Sequence, residues 1–322
     1  MSDDHTEENR ALLIEGLRCH ELGELEAARD MYMKILENDP ENDQALDLAG
    51  LLCLQCDELE AAKDFFDAAI AINPANTRSL NHLGVLKLRE GAYDEAMEMF
   101  REAISGEPDY MEARFNLALA LRSSGKFSDA SDVIEEALII DPEHVPLLMW
   151  RGIIAREGGD LQLALESLEA AAQVDGENVG VMFQMGEVCC ALDDFSMAER
   201  CYRVGIEISP DVPELFERVG NCLLHAGDID GAIATIEQGI SIDSNDADLW
   251  GALSRARLAT GDTTGARVAA ETAISLNGEN AQAHLAMAEL YAAEGDQAKA
   301  DTSRSTARSF VGDDPIVLAA LG

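Results

Sequence analysis

An alanine recurs every 34 residues along most of this 322-residue chain. The column comprises Ala28, Ala62, Ala96, Ala130, Ala164, Ala198, Ala232, Ala266 and Ala300. A small residue held in register over so many copies is typical of a solenoid, in which each repeat is one supersecondary unit stacked on its neighbours. The period therefore predicts a repeat architecture, and it directs the search for function to residues that differ between the copies.

Two more columns keep the same period and predict how each unit folds. A second small residue lies twelve positions before each alanine, at Gly16, Gly50, Gly84, Ala118, Gly152, Gly186, Gly220, Ser254 and Ala288. A glycine or aspartate lies five positions before each alanine, at Gly23, Asp57, Gly91, Gly125, Gly159, Asp193, Gly227, Gly261 and Gly295. Apolar residues between these columns fall at spacings of three, four and seven, which places one stripe on each of two helices. We therefore predict a helical hairpin in every unit, with the glycine or aspartate ending its first helix.

The recurring small residues are explained by helix packing. Glycine in the interior of a helix costs about 1 kcal/mol relative to alanine, so its repeated use indicates that the paired helices approach more closely than larger side chains would allow. A proline, which cannot continue a helix, closes five of the units, at Pro40, Pro74, Pro108, Pro142 and Pro210. The recurring residues are therefore assigned to packing and not to chemistry.

These columns carry a resemblance to a known family. The unit resembles the tetratricopeptide repeat. The third unit matches it best, at Leu80, Leu83, Gly84, Gly91, Ala96, Phe100, Ala103 and Pro108. The family's tyrosine position departs, since it holds Cys19, Cys53, Cys189 or Lys87 in this chain, and the last three units lack the closing proline. The resemblance implies an all-α fold, a right-handed superhelical solenoid of helix-turn-helix repeats.

The unbroken register predicts one continuous domain. Residues 9–314 hold nine tandem units without a linker or low-complexity run, and we expect them to form a single solenoid. Residues 1–8 are acidic and are expected to form a frayed N-terminal tail. Residues 315–322 reproduce the opening of a tenth unit, and we interpret them as a half-repeat that caps the ninth. The same stub also fits a truncation or a surface for self-association.

The charge balance excludes some classes of partner. The chain carries 62 acidic and 23 basic residues, a net charge of −39. A surface of this sign repels the phosphates of nucleic acids and of anionic membranes. No apolar run approaches the roughly 18 residues of a membrane span, and the N-terminus lacks the features of a signal peptide. We therefore expect a soluble, cytoplasmic protein that binds no nucleic acid and does not insert into membranes.

The sequence offers no motif for catalysis, a cofactor or a metal. The Gly-Lys pair at 125–126 lacks the other residues of a phosphate-binding loop, no G-x-S-x-G occurs, and the six histidines are scattered over different units. Cys53 and Cys56 form a C-x-x-C, and two cysteines are adjacent at 189–190. Buried reduced thiols also serve as small core residues, and we assign the cysteines to that role, without metal or cofactor.

The residues that vary between units point to one surface. In the family that this unit resembles, a concave groove is lined by first-helix residues. They form a stripe that lies about one residue onward from the stripe that faces the core. Here that stripe has aromatic residues at Phe115, Trp150 and Phe183 and a cationic edge at Arg122 and Arg156. The candidate partner-binding residues are Arg78, Asn81, His82, Phe115, Asn116, Leu119, Arg122, Met149, Trp150, Ile153, Arg156, Phe183, Gln184, Arg218 and Asn221.

A groove of this composition suits a partner segment with apolar anchors and some acidic residues, bound as a helix or as an extended peptide. Aromatic residues and arginine are also common at binding hot spots. The competing interpretation is that these side chains pack between successive first helices and that the arginines pair with local acids.

Two specialised groove types of the family are not favoured. The clamp for acidic chaperone tails is matched only in part, by Arg78, Asn81 and Asn116, and Trp150 falls where that clamp needs another residue. The asparagine ladder of repeats attached to glycosyltransferases is represented by Asn116 alone.

The sequence thus predicts a non-catalytic scaffold or adaptor that binds a peptide or helix of a partner protein in its groove. The alternative is a structural assembly subunit that self-associates through its terminal repeats. A third option is that the chain is the targeting module of a longer enzyme.

Overall fold

The computed structural model describes the backbone of residues 2–310 and the side chains of residues 6–310. This part of the chain contains eighteen α-helices and no β-strand. The helices are α1 (Ser2–Glu21), α2 (Leu25–Asn38), α3 (Asp43–Gln55), α4 (Leu59–Ile72), α5 (Thr77–Arg89), α6 (Tyr93–Gly106), α7 (Met111–Ser123), α8 (Phe127–Ile140), α9 (Val145–Glu157), α10 (Leu161–Val174), α11 (Val179–Ala191), α12 (Phe195–Ile208), α13 (Pro213–Ala226), α14 (Ile229–Ile242), α15 (Ala247–Ala259), α16 (Thr263–Leu276), α17 (Ala281–Ala293) and α18 (Gln297–Phe310).

The odd-numbered helices are the first helices of the hairpins, and the even-numbered helices are the second. The chain divides into two compact units, residues 1–142 and residues 143–322. Within each unit, the two helices of a hairpin pack along their length, and each second helix also packs on the first helix of the next hairpin. Each unit is therefore an all-α repeat solenoid, and the predicted fold class is confirmed.

The turn inside each hairpin ends the first helix as the sequence predicts. All nine turn residues have a positive φ, between 60° and 85°. Seven are glycine, which adopts this left-handed conformation without strain. At Gly91 the N–H groups of the turn donate back to carbonyl groups of α5, so the end of that helix is satisfied. Asp57 and Asp193 occupy the same position in two hairpins, and aspartate is among the few other residues that tolerate it.

The small columns lie between the paired helices. Every alanine of the 34-residue column is fully buried. A Cβ atom placed on Gly84 would lie 2.5 Å from the ring of Phe100 in the second helix, and glycines of other hairpins face large side chains in the same way. Since no real Cβ approaches a ring so closely, glycine is what allows the aromatic side chain to fill the core. The hairpin with Ala118 in this column carries Ile134 at the position of Phe100, whereas Gly152 faces Leu168 and Gly220 faces Ile236.

The two ends of the chain differ in what the structure describes. Helix α1 begins at Ser2, so residues 2–8, which the sequence reading placed in a frayed tail, are helical. No glycine or proline interrupts this stretch, and acidic residues are favourable in the first turn of a helix because they oppose its dipole. The stub at 315–322 lies outside the described residues. The single-domain interpretation of residues 9–314 stays a prediction.

We expect the substitution Gly84→Ala to lower the free energy of unfolding by about 1–2 kcal/mol, because steric overpacking against Phe100 exceeds the gain in helix propensity. The same substitution in a Phe100→Ile background is expected to cost less, since that background copies the pairing of Ala118 with Ile134. Urea denaturation followed by circular dichroism measures both values. An equal cost in both backgrounds would contradict the packing explanation.

Candidate functional site

The candidate partner-binding residues lie on the first helices of the hairpins. In residues 1–142, α3 contacts α5 and α5 contacts α7. In residues 143–322, α9 contacts α11, α13 contacts α15, and α15 contacts α17. We call the surface that these helices share the first-helix face of each unit.

A buried carboxylate organises the first-helix face of residues 1–142. Asp47 in α3 is only 2% exposed, and its Oδ1 accepts a hydrogen bond from Ser79 Oγ at 2.9 Å. The Nδ1 atom of His82 lies 2.8 Å from the same oxygen. The His82 ring also contacts Phe66, with 5.6 Å between the ring centroids. The candidate residue His82 thus joins α5 to α3.

Two candidate asparagines extend this polar network from α5 to α7. Asn81 is fully buried, and its Nδ2 donates to Glu112 Oε1 at 3.1 Å. Its Oδ1 accepts a hydrogen bond from Asn116 Nδ2 at 2.9 Å. Both asparagines therefore make contacts between successive first helices, as the competing interpretation expects. A role for them in partner binding stays a prediction.

The other candidates in this unit keep accessible surface. Phe115, Leu119 and Arg122 in α7 are half-buried, and Arg78 at the start of α5 is exposed. This face therefore combines a fixed polar network with a few side chains that a partner can reach.

Residues 143–322 carry an apolar patch on α9 and α11. Met149, Trp150, Ile153 and Phe183 are each half-buried, and we call these four residues the apolar patch. Helix α12, the second helix of this hairpin, holds Phe183 in place. The Phe183 ring packs on the fully buried ring of Tyr202 in α12, with 5.8 Å between the centroids. The structure thus places four of the predicted residues on neighbouring first helices.

Two polar candidates accompany the apolar patch. Arg156 lies one turn after Ile153 in α9, and Gln184 follows Phe183 in α11. Arg156 Nε and Gln184 Oε1 are both shielded from solvent and make no hydrogen bond. An unpaired buried polar atom costs about 1–3 kcal/mol, so both side chains carry an unfavourable contribution at this place.

Arg218 in α13 is held by acids of its own chain. Its Nε lies 3.4 Å from Glu187 Oε1 and 3.6 Å from Glu217 Oε2. Its guanidinium carbon lies 5.8 Å from the centroid of the Phe183 ring, within the range of a cation–π contact. Glu187 also accepts a hydrogen bond from the hydroxyl of Tyr202 at 2.7 Å. The positive charge of this candidate residue is therefore largely compensated inside the protein.

A cavity of about 480 Å³ opens at the N-terminal ends of α13, α15 and α17. We call it the acidic cavity, because its lining includes Arg218 and the five acids Glu214, Glu217, Asp246, Asp248 and Glu279. Three lining side chains are almost completely buried, namely Glu217, Asn280 and Gln282. Gln282 Nε2 donates to Glu217 Oε1 at 2.7 Å, and Asn280 Nδ2 donates to Asp248 Oδ1 at 2.7 Å.

The acids of this cavity influence one another. Burial raises the pKa of Glu214. The charge of Arg218 opposes this rise, and the charges of Asp246 and Asp248 add to it. A carboxyl whose pKa is raised in the folded state is more easily protonated there. The neighbouring carboxylates thus contribute to the raised pKa of Glu214, after burial.

Sequence reasoning missed the acidic cavity because it followed aromatic and basic residues. A signal was present, since Glu214, Asp248 and Gln282 form a 34-residue column of their own at the start of three first helices. In the stripe that holds Phe183, the next hairpin has the acid Glu217 in place of an apolar residue. The candidate Asn221 is fully buried, and its Nδ2 donates a hydrogen bond to that acid.

The cysteines are free thiols. Six are buried and Cys56 is exposed. In the part of the chain whose side chains are described, no three histidine, cysteine, aspartate or glutamate residues are grouped so that they can hold a metal ion. Between residues 2 and 310, none of the helices has both the length and the apolar character needed to cross a membrane.

Two protein-family models match parts of this chain. One family model described as tetratricopeptide repeat matches residues 10–42 and 43–76, and a second of the same description matches residues 87–148. The eighteen helices of residues 2–310 continue the same pattern of hairpins through the rest of that range. The matched residues and the tandem hairpins fit a tetratricopeptide repeat protein. No curated protein sequence matches it.

Solved structures share the fold at low identity. A tetratricopeptide repeat protein from Parabacteroides merdae has a TM-score of 0.59 at 20% identity, covering 81% of this chain and 98% of that chain. PilW, described as a type IV pilus biogenesis factor, has a TM-score of 0.59 at 18% identity, covering 64% of this chain and 96% of that chain. A chain of the APC/C hetero-tetramer Cut9–Hcn1 has a TM-score of 0.55 at 16% identity, covering 83% of this chain. This chain spans 52% of the latter's length.

We expect Asp47→Ala to lower the free energy of unfolding by about 1–3 kcal/mol, because the buried hydroxyl of Ser79 and the ring of His82 lose their shared partner. Asp47→Asn keeps an acceptor at that position and is expected to cost less. Asp64→Ala removes an exposed acid from α4 and serves as the matched control, with a change within about 0.5 kcal/mol. Chemical denaturation gives all three values. A loss with Asp47→Ala no larger than that of the control would contradict a structural role for this network.

Proposed function

We propose that this protein is a non-catalytic interaction scaffold that binds a segment of a partner protein on the first-helix face of residues 143–322. The principal contact is the apolar patch, and the bound segment is a helix or an extended peptide with apolar anchors. Tetratricopeptide repeat proteins, whose models match residues 10–76 and 87–148, are in general non-catalytic scaffolds for protein interactions. Among the structural neighbours, the Cut9–Hcn1 structure is a hetero-tetramer.

The observation that carries the proposal is the partial exposure of four neighbouring apolar side chains, Trp150 and Phe183 among them. Burying apolar surface gains about 25 cal/mol per Å², and aromatic anchors in a shielded surface account for much of the binding energy in many interfaces.

Arg156 and Gln184 supply polar groups beside the apolar anchors. The half-buried guanidinium of Arg156 offers N–H donors to a carboxylate or a backbone carbonyl of the bound segment, and the half-buried amide of Gln184 offers a donor and an acceptor to its backbone. An acidic residue next to the apolar anchors of the partner fits Arg156 best, because charge-assisted hydrogen bonds are stronger than neutral ones.

The remaining candidates take supporting roles in this proposal. Asn81 and Asn221 are fully buried, so in this proposal they support the accessible side chains and do not contact the partner. His82 and Asn116 fix the spacing of first helices in residues 1–142. Phe115, Leu119, Arg122 and Arg78 offer an equivalent but separate surface on that unit.

The alternative function, self-association through the terminal repeats, depends on residues 315–322, which lie outside the described part of the chain. Light scattering of the whole chain and of a variant lacking residues 313–322 tests it. A monomer in both forms would exclude it.

We expect the double substitution Trp150→Ala with Arg156→Glu to weaken binding of partner peptides by about 30-fold or more, because it removes an aromatic anchor and reverses the adjacent charge. Peptides selected from a random display library on the wild-type protein provide the ligands, and fluorescence polarisation measures their affinities. The melting temperature is expected to change little, since both side chains are only half-buried.

Tyr93→Ala with Arg101→Glu is the matched control. It makes the same chemical changes on α6, a second helix, where both side chains are exposed. The control is expected to bind the selected peptides like wild type. Equal loss in both variants, or a large drop in melting temperature with binding unaltered, would refute the proposed site.

A further inference from the structure

Four of the seven cysteines lie close together on three successive helices. Cys189 and Cys190 are on α11, Cys201 is on α12 and Cys222 is on α13. All four are free thiols, and none has more than 6% of its surface exposed. As small core residues they fill space like alanine or valine, but their sulfur atoms also give this part of the core a chemistry of its own.

The four thiols form two pairs. Cys189 and Cys201 are hydrogen-bonded to each other through their side chains, within one hairpin. Cys190 and Cys222 are hydrogen-bonded to each other in the same way, and their contact joins the first helices of two neighbouring hairpins. Both members of this second pair belong to one core cluster with Tyr202. The Cys190 Sγ also lies 3.7 Å from the hydroxyl oxygen of Tyr202, so the second pair has a fixed position in the core.

The second pair lies where the stack of first helices is loosest. Among the first helices between residues 143 and 310, α11 and α13 make a weaker contact with each other than α9 makes with α11 or α13 with α15. We call the boundary between them the α11–α13 seam. Side chains bridge it, since Arg218 of α13 reaches Glu187 and the ring of Phe183 on α11. A boundary with little close helix packing opens locally more easily than the core of a hairpin.

We propose that Cys190 and Cys222 are a site of oxidative modification, at which a hydroperoxide converts the two thiols into a disulfide bond across the α11–α13 seam. The pair is in contact in the reduced protein, and the loose seam gives a small oxidant access during local opening. No partner protein takes part, so this inference is independent of the proposed function.

The reaction proceeds in two steps. One thiolate of the pair attacks an oxygen atom of hydrogen peroxide, which breaks the O–O bond and gives a sulfenic acid and hydroxide. The other sulfur then attacks the sulfenic sulfur, so that the S–S bond forms and the sulfenic oxygen leaves as water. The two thiols together lose two electrons and two protons, and one peroxide becomes two waters. Because both thiols are buried, we expect the reaction to be slower than oxidation of the exposed Cys56.

The two pairs differ in what a disulfide would change. A bond between Cys190 and Cys222 closes a loop of about 30 residues and ties α13 to α11, whereas a bond between Cys189 and Cys201 closes a much shorter loop between helices that already pack along their length. Cross-links that close longer loops remove more entropy from the unfolded chain. Oxidation of the second pair therefore has the larger effect on stability.

The test uses the full chain with Cys56→Ser, which removes the exposed thiol that would otherwise join two copies. The protein is treated with hydrogen peroxide under native conditions, its remaining thiols are blocked, and it is digested with trypsin without reductant. We expect the peptide of residues 157–200 to be linked to the peptide of residues 219–255, and dithiothreitol to separate the two. Mass spectrometry detects the linked product.

Two variants assign the reacting thiol on α11, because Cys189 and Cys190 share one tryptic peptide. We expect Cys189→Ala to keep the link to the peptide that contains Cys222, and Cys190→Ala to lose it. A link that persists in Cys190→Ala would show that Cys189 reacts, and it would overturn the assigned pair.

Thermal unfolding measures the effect on the fold. We expect the oxidised protein to melt about 5 °C higher than the reduced form of the same variant. Cys201→Ala removes a buried thiol of the other pair and is the matched control, which should keep this difference between the two forms. Cys222→Ala should abolish it. An equal difference in both variants would contradict a bond across the seam.

Two results on the Cys56→Ser chain alone would overturn the proposal, whether or not the further variants fold. The first is a link between the two peptides that forms only in urea, because it would then belong to the unfolded chain. The second is conversion of Cys190 and Cys222 to sulfinic acids without any link, because the two sulfur atoms would then fail to meet during oxidation.

Discussion

The contact between a glycine in the first helix and a large side chain in the second, seen at Gly84 and Phe100, sets the geometry of the hairpin. Because the same contact recurs in most hairpins, they stack with nearly the same spacing and their first helices become neighbours. Residues about one repeat apart then meet across the first-helix face. The hydrogen bonds between His82 and Asp47 and from Asn116 to Asn81 each span 35 residues for this reason.

Much of this fold could be predicted from the sequence, because the columns that define it are local and repeated. The turn at Gly91 and the burial of the alanine column each depend on residues within a single hairpin. The pairing of Arg218 could not be predicted in the same way. A guanidinium pairs with the acids that lie nearest in space, and Glu187 belongs to the preceding hairpin while Glu217 belongs to its own. The sequence analysis assigned this arginine to a partner, with pairing to local acids as the competing interpretation, and in the structure it lies beside two acids of its own chain.

The net charge of the chain is strongly negative, yet the first-helix face of residues 143–322 has an apolar part and an acidic part. Apolar side chains occupy α9 and α11, and acids gather at the starts of α13 and α15. The change occurs within one repeat, where Glu217 replaces the apolar residue found at Phe183 in the preceding hairpin. The regular backbone thus carries two different surfaces, and only the residues outside the recurring columns distinguish them.

The position of Arg218 has a thermodynamic consequence. One guanidinium contacts the ring of Phe183 in the apolar patch and the carboxylate of Glu217 in the acidic cavity. A group that competes for Glu217 changes the share of this cation that is left for Phe183 and Glu187. Any such change in affinity must be reciprocal, because linkage requires two sites to influence each other by the same factor. Because a single side chain joins the two surfaces, ligands bound at both would influence each other without any movement of the helices.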